Sequence, residues 1–246
     1  MNILRCPIVE LRQYTLHPGQ REALITLFDR EFVESQEELG MVILGQFRDL
    51  DNPDRFVWLR GFETMPSRAE ALTSFYSGPA WKANSAAANA TMIDSDNVLL
   101  LLLRPASARS GFPAPGITRP PAGHAESPAS VILATIYYRD RPFDDEFLYF
   151  FDSRARPALA RAGAAPLACL QTEYAKNTFS PLPVRTGEHA FVWFARFSST
   201  ALARTYEDRL LHSESWQEKV LPALEQMVTG VTERLRLAPT ARSLLR

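Results

Sequence analysis

The chain has 246 residues, 46% hydrophobic and 22% charged, enough apolar material for a sizeable core, which excludes a disordered chain, a fibre and a small disulfide-held scaffold. Its 27 Lys and Arg against 28 Asp and Glu leave a formal charge of -1, without the basic excess of a nucleic-acid binder. Cys6 and Cys169 are too few for a disulfide framework, residues 1–10 carry no export signal, and the longest apolar run, 98–103, is far short of the roughly 20 residues of a membrane helix. These features predict a soluble cytoplasmic protein with neither nucleic acid nor membrane as a partner.

In chain order, residues 8–14 alternate as a strand, and the His17-Pro18-Gly19 turn opens a helix whose apolar stripe is Leu24, Leu27, Phe28 and Phe32. Strand runs follow at 41–47 and 56–62, joined by a loop carrying Asp51, Asn52 and Pro53. Helical patterning then covers 67–76 and 79–90, and the apolar run 98–103 closes the half as a strand buried on both faces. Segment 105–129 holds six of the chain's 18 prolines; with fixed φ angles, lost donors and almost no large apolar side chains, it reads as a linker. Beyond it come a strand at 131–138, a helix at 143–162, strands at 166–172 and 189–197, helices at 200–211 and 215–228 stopped by Gly230, and a strand at 231–237.

The two halves match internally. FVWLRGF at 56–62 recurs as FVWFARF at 191–197, and Trp81 recurs as Trp216, both with a shift of 135; upstream, 9–14 aligns with 132–137 at a shift of 123. Both halves read βαββαβ, the ferredoxin-like order of an antiparallel four-stranded sheet with helices on one face. The expected fold is α+β: two tandem ferredoxin-like units, 1–104 and 130–246, whose sheets face each other and close a barrel with helices outside and an enclosed space at its centre.

The segment VELRQYTLHPGQREALITLF at 9–28, followed by GQFRDLDNPDRFVWLRGF at 45–62, resembles the NIPSNAP family, itself similar to the wider dimeric α+β barrel group. The resemblance covers most of the first half and implies tandem ferredoxin-like units and a homodimer, while no single reaction is established across the family. Eukaryotic members often carry His two positions before the strand Trp; Phe56 stands there in this chain. Some members carry mitochondrial leaders, whereas this chain starts almost on its first strand, as expected of a bacterial cytoplasmic protein. The wider group includes cofactor-free monooxygenases, haem enzymes and small-molecule binding proteins, and fold likeness cannot choose among them.

Strand alternation puts Glu10, Arg12 and Tyr14 on one face, and Trp58 and Arg60 on one face of the FVWLRGF strand. If the apolar residues between them meet the helices, these five side chains line the barrel interior and form a ligand site, with two cations for an anion and aromatic walls for a flat body. Under the repeat shifts Glu10, Arg12 and Arg60 become Leu133, Thr135 and Ala195, while Tyr14 and Trp58 become Tyr137 and Trp193. The aromatic frame is doubled and the charges are not, so one asymmetric site in the first half is expected. The competing reading is a paired buried ion network. Trp81 and Trp216 read as packing anchors.

His17, His124, His189 and His212 show no metal spacing, and neither a metal nor a cofactor is expected. No GxSxG, GxGxxG or GxxxxGK motif occurs. The sequence therefore predicts a binder of a small aromatic or anionic molecule. The alternatives are a cofactor-independent monooxygenase, in which Arg12 and Arg60 stabilise an enolate and Glu10 takes a proton, and a non-catalytic interaction scaffold.

Overall fold

A computed structural model of the protein describes residues 6–103, 112 and 118–246. The strands are β1 (Ile8–Leu16), β2 (Val42–Asp49), β3 (Arg55–Phe62), β4 (Met92–Asp94), β5 (Val98–Leu103), β6 (Val131–Arg139), β7 (Ala168–Thr172), β8 (His189–Phe197) and β9 (Glu233–Pro239). Between them lie α1 (Arg21–Leu27), α2 (Val33–Glu37), α3 (Met65–Ser77), α4 (Pro79–Asn89), α5 (Asp145–Phe150), α6 (Arg156–Ala162), α7 (Thr200–Leu211) and α8 (Leu221–Met227). Single π-helical turns, Phe28–Phe32 and Phe151–Ala155, join α1 to α2 and α5 to α6. The two turns start 123 residues apart, the shift that also aligns 9–14 with 132–137.

The first half orders its strands β2-β3-β1-β5 and the second β7-β8-β6-β9, with β5 pairing β7 and β2 pairing β9. Because β1 pairs both β3 and β5, the ring closes into an eight-stranded antiparallel barrel. The short β4 pairs only with the end of β1, at Thr15 and Leu16. Residues equivalent under the repeat shifts meet in the same register: Glu10 faces Arg60 and Tyr14 faces Phe56 across β1 and β3, as Leu133 faces Ala195 and Tyr137 faces Phe191 across β6 and β8. A second copy of the chain is not needed to close the barrel.

The barrel interior corrects one expectation. Val9, Leu11, Val57 and Leu59 from the first half form one apolar cluster with Ile132, Ala134, Ile136, Val192, Phe194, Leu235 and Leu237 from the second. Val9, Leu11, Val57 and Leu59 are side chains that the sequence reading sent toward the helices; with their second-half neighbours they fill the centre where an enclosed space was expected. Eight strands leave an interior just wide enough for side chains, and apolar ones need no partner there. At one mouth the same inward positions turn polar: Gln13 Nε2 donates to Glu233 Oε1 (2.9 Å), and the Tyr138 hydroxyl donates to Glu233 Oε2 (3.0 Å). The outer faces pack against helices, one cluster in each half.

Nearly half of the expected linker, 105–111 and 113–117, lies outside the described residues. The described remainder is built into the fold. Phe112 is buried within the barrel cluster, its ring edge-on to Phe194 at 5.4 Å. Arg119 donates to Glu37, to the Ile43 carbonyl and to the Arg242 carbonyl. The chain's last residues return to the first half, where Thr240 N–H donates to Gln46 O and Leu245 N–H to Leu44 O, both at 2.9 Å. Gly230 also differs from expectation: its φ is not positive, and a Cβ there would lie 2.7 Å from Tyr138 Cβ, so glycine permits a close approach and does not cap a helix. Val231 is consequently outside the strand and 90% exposed, and β9 starts at Glu233.

Phe112→Ala should lower the unfolding free energy by roughly 3 kcal/mol, the usual cost of emptying an aromatic site in a core. Urea unfolding followed by tryptophan fluorescence checks this, and a change within about 0.5 kcal/mol, as for a surface position, would show that the segment carries no core residue.

Candidate functional site

With Val9 and Leu11 turned inward, the alternation of β1 turns Glu10, Arg12 and Tyr14 outward, under the helices of the first half. The five residues expected to line the barrel interior are brought together, but between sheet and helices. Arg60 Nε and Nη2 and Arg12 Nη1 all donate to Glu10 Oε2, at 3.1, 2.6 and 2.9 Å. Oε1 accepts from Arg68 Nε at 2.7 Å. Arg12 Nε donates to the Tyr14 hydroxyl at 3.0 Å. Arg60 lies over the Trp58 ring (4.9 Å) and Arg12 over its other neighbourhood at 5.5 Å, so Trp58 is the aromatic floor of the cluster.

Sequence reasoning missed Arg68 and Gln36. Thr64 and Ser67 cap each other's backbone N–H groups at the start of α3, which fixes that helix and aims Arg68, one residue on, at Glu10. Gln36 Nε2 donates to the Phe32 carbonyl one turn back (2.7 Å), which orients its Oε1 to accept from Arg60 Nη1 (2.8 Å). The capping pattern was legible; its target, on a strand 58 positions earlier, was not. Burial alone would raise the Glu10 pKa, yet the charges of Arg60, Arg12 and Arg68 and the Arg60 hydrogen bonds outweigh it and hold the carboxyl well below the usual range. A carboxylate so held does not take up a proton, which removes the base role considered for Glu10. The paired network fits the geometry.

The free space lies next to Trp58 and its counterpart. In the first half a cavity of about 30 Å³ is lined by Tyr14, Gln36, Trp58, Phe75, Tyr76 and Trp81, among others. In the second half the repeat-equivalent residues Tyr137, Leu159, Trp193, Leu210, Leu211 and Trp216 line a cavity of about 400 Å³. Phe75 and Tyr76 occupy in one half the volume that two leucines leave open in the other. Trp216, read as a packing anchor, is also a wall.

The larger cavity has its own cations, which the repeat comparison did not find because they stand one strand away. On β9, Leu235 and Leu237 point into the barrel, so Arg234 and Arg236 face the helices. They pair with Thr135 and Leu133, where the first half sets Val98 and Leu100 against Arg12 and Glu10. Arg236 is held by Asp51 of the β2–β3 loop, with Nε 2.8 Å from Oδ2. Arg234 has no hydrogen bond or ion pair among the described residues and is solvent-exposed at the cavity wall. Trp193 Nε1 donates to the Tyr137 hydroxyl oxygen (3.3 Å), leaving the hydroxyl hydrogen to be donated elsewhere. Burial pushes the Tyr137 pKa up to about 12 and that of Tyr206, also in the wall, upward as well, so both phenols keep their protons.

The histidines stand apart from both cavities: His189 Nδ1 is 2.9 Å from the Tyr174 hydroxyl, and His212 Nδ1 is 2.7 Å from the Asp208 carbonyl. Among the described residues no group of three or more His, Cys, Asp or Glu could hold a metal, and no helix is long and apolar enough to cross a membrane.

Residues 9–108 match the NIPSNAP family model. The amino-terminal half is thus similar to a NIPSNAP domain. No curated protein matches the chain in sequence. Among solved structures, a NIPSNAP-like domain protein from Burkholderia xenovorans is 24% identical over 46% of this chain and 95% of its own, with a TM-score of 0.39. Over nearly the whole chain the fold is shared with a proposed monooxygenase from Fusobacterium nucleatum (9% identity, 96% of this chain, 93% of that one, TM-score 0.57). It is shared too with an anthrone oxidase-like protein (12% identity, 95% of this chain, 91% of that one, TM-score 0.52). At these identities the likeness is one of fold. The half that carries the family match holds the small cavity beside the ion cluster, and the half beyond the match holds the larger one.

Glu10→Gln should cost roughly 3–5 kcal/mol of stability at pH 7, because three buried guanidiniums lose their counter-charge. The depressed Glu10 pKa also contributes stability that is fully present above its ordinary value of 4.5 and is lost as pH falls below it. Denaturant unfolding at pH 7 and pH 3.5 should therefore separate wild type from variant less at the lower pH. An equal gap at both would show that Glu10 is not held ionised by the fold.

Proposed function

We propose that this chain is a small-molecule binder whose ligand, a flat aromatic body carrying one anionic group, sits between the second-half sheet and its helices. The observation that carries the reading is the cavity of about 400 Å³ walled by Tyr137, Trp193, Tyr206 and Trp216 with Arg234 at its edge. That volume lies in the range of small-molecule sites, which are apolar with a few convergent polar groups. The rings supply stacking surface, Arg234 supplies a guanidinium not committed to a protein carboxylate, and the Tyr137 hydroxyl supplies a proton for a ligand oxygen. In this reading Glu10, Arg12, Tyr14, Trp58 and Arg60 hold the first-half helices to the sheet and do not touch the ligand.

The same register in both halves, with the paired π turns, supports descent of the units 1–104 and 130–246 from one duplicated ancestor. Under that history the first copy filled its chamber and the second kept it open. Two buried, unpaired thiols, Cys6 and Cys169, support a reducing, cytoplasmic setting.

The test uses naphthalene-2-carboxylate as the anionic probe and 2-methylnaphthalene as its neutral counterpart, with binding read by quenching of tryptophan fluorescence and by calorimetry. Wild type should bind the carboxylate more tightly. Arg234→Ala should weaken it about 10- to 100-fold, the worth of a hydrogen bond to a charged group, and leave the neutral probe unchanged. Failure of wild type to bind either probe would overturn the reading.

A further inference from the structure

The cluster around Glu10 is electrostatically unbalanced. Arg12, Arg60 and Arg68 are each 1% exposed or less, as is Glu10, so three cations share one anion and two positive charges are left over in a layer shielded from water. Leaving a charge buried without a counter-charge is among the most costly arrangements in a protein. Tyr76 does not supply the missing charge, since burial pushes its hydroxyl pKa up and it keeps its proton. Among the described residues no other carboxylate lies within ion-pair distance of the three guanidiniums.

Beside this excess charge is the first-half cavity of about 30 Å³, room for one or two particles of water size. Its polar lining offers donors. Trp58 is 2% exposed and its Nε1–H meets no acceptor among the described residues. The Tyr14 oxygen already accepts from Arg12 Nε, so its hydrogen is free to point into the cavity. Gln36 adds no acceptor of its own, because its Oε1 is used by Arg60 and its amide by the Phe32 carbonyl. Water in such a space needs acceptors for its own two hydrogens, and the hydroxyl oxygens of Tyr14 and Tyr76 are the polar atoms of the lining left to accept them. A small anion accepts from every donor and answers the charge behind Trp58, over which Arg12 and Arg60 both lie.

We infer that the first-half cavity is a site for one small inorganic monoanion of halide size, held by Trp58 Nε1–H and the Tyr14 hydroxyl within the field of Arg12 and Arg60. The site is independent of the second-half chamber and would survive if no organic ligand bound there. The anion acts as a structural ion: it offsets one of the two surplus positive charges under the helices and fills the volume that Phe75 and Tyr76 leave.

The experiment compares thermal unfolding of the full chain in sodium chloride, sodium bromide and sodium gluconate at matched ionic strength. Chloride and bromide should raise the Tm by about 2–6 °C over gluconate with a saturating concentration dependence, as expected of a ligand that binds only the folded state. Tyr14→Phe, which removes a donor and keeps the ring, and Trp58→Phe, which removes a donor and puts a phenyl in place of the indole, should each abolish or at least halve that rise. Tyr137→Phe, the second-half counterpart, should retain it. Crystals of the wild-type protein soaked in bromide should show an anomalous peak beside Trp58. Equal Tm values in halide and gluconate, a rise that persists in both donor variants, or anomalous peaks confined to the surface would overturn the inference. Because the crystal reading needs no variant, it decides the matter even if Trp58→Phe does not fold.

Discussion

Because the centre of the eight-stranded barrel is filled by apolar side chains from both halves, the charges of Glu10, Arg12 and Arg60 have to find their partners in the layer between sheet and helices. That requirement governs the molecule. An ion inside the barrel would meet only Val, Leu, Ile and Phe from facing strands, whereas an ion outside it meets whatever the helices and loops bring. In the first half they bring Arg68 from α3, Gln36 from α2, and Asn177 and Thr178 from the loop after β7, which accept from Arg68 Nη1 at 3.0 and 3.2 Å. The last contact ties a second-half loop to a first-half helix, so the ion cluster joins the two halves as well as the layers.

The same requirement separates the two chambers. Charging β1 and β3 in the first half draws the helices down onto the sheet through charged hydrogen bonds, and Phe75 and Tyr76 close most of the remaining space. In the second half Leu133, Thr135 and Ala195 offer the helices no charge, so they pack mainly through apolar side chains such as Phe147, Phe151, Leu159, Trp216 and Leu224, and a wide gap persists toward β9. Arg234 and Arg236 stand at that gap, where β9 comes closest to the loop Leu50–Asp54 of the first half. One half has spent its polar groups on cohesion, and the other leaves a guanidinium uncommitted at an aromatic wall.

Most of the architecture was legible in the sequence because it rests on periodicity. The alternation of ELRQY and FVWLRGF, the helical stripe of Leu24, Leu27, Phe28 and Phe32, and the two constant shifts of 123 and 135 are each local, and each has a direct counterpart in a strand, a helix or a register. The facing of the strands was not legible. Alternation divides a strand into two faces without saying which one is inward, and the choice made for β1 placed Glu10 and Arg12 on the side away from the helices that bring Arg68 and Gln36 to the cluster. Counting potential partners decides it correctly: the centre of a small barrel is lined by apolar side chains, so the charged face is the outward one. Phe112 was hidden for a related reason, since a lone aromatic in a proline-rich stretch has no periodicity to reveal where it is buried.

The site divided along the same line. The aromatic frame of Tyr14, Trp58, Tyr137 and Trp193 was visible because it recurs at equivalent positions. The cations of the second chamber were not, because position-by-position comparison asks whether Arg12 and Arg60 recur at Thr135 and Ala195, and they do not. Cross-strand geometry asks a different question. Thr135 and Leu133 lie opposite Arg234 and Arg236 on β9, so positive charge reaches the same outer surface from the neighbouring strand. Charge on a sheet is therefore better compared by face and neighbour than by alignment column. In this chain the supplying strand also decides what the cations can do: from β1 and β3 they lie under the helices and are consumed in pairing, whereas from β9, beside the cavity, Arg234 keeps its donors for something other than the protein itself.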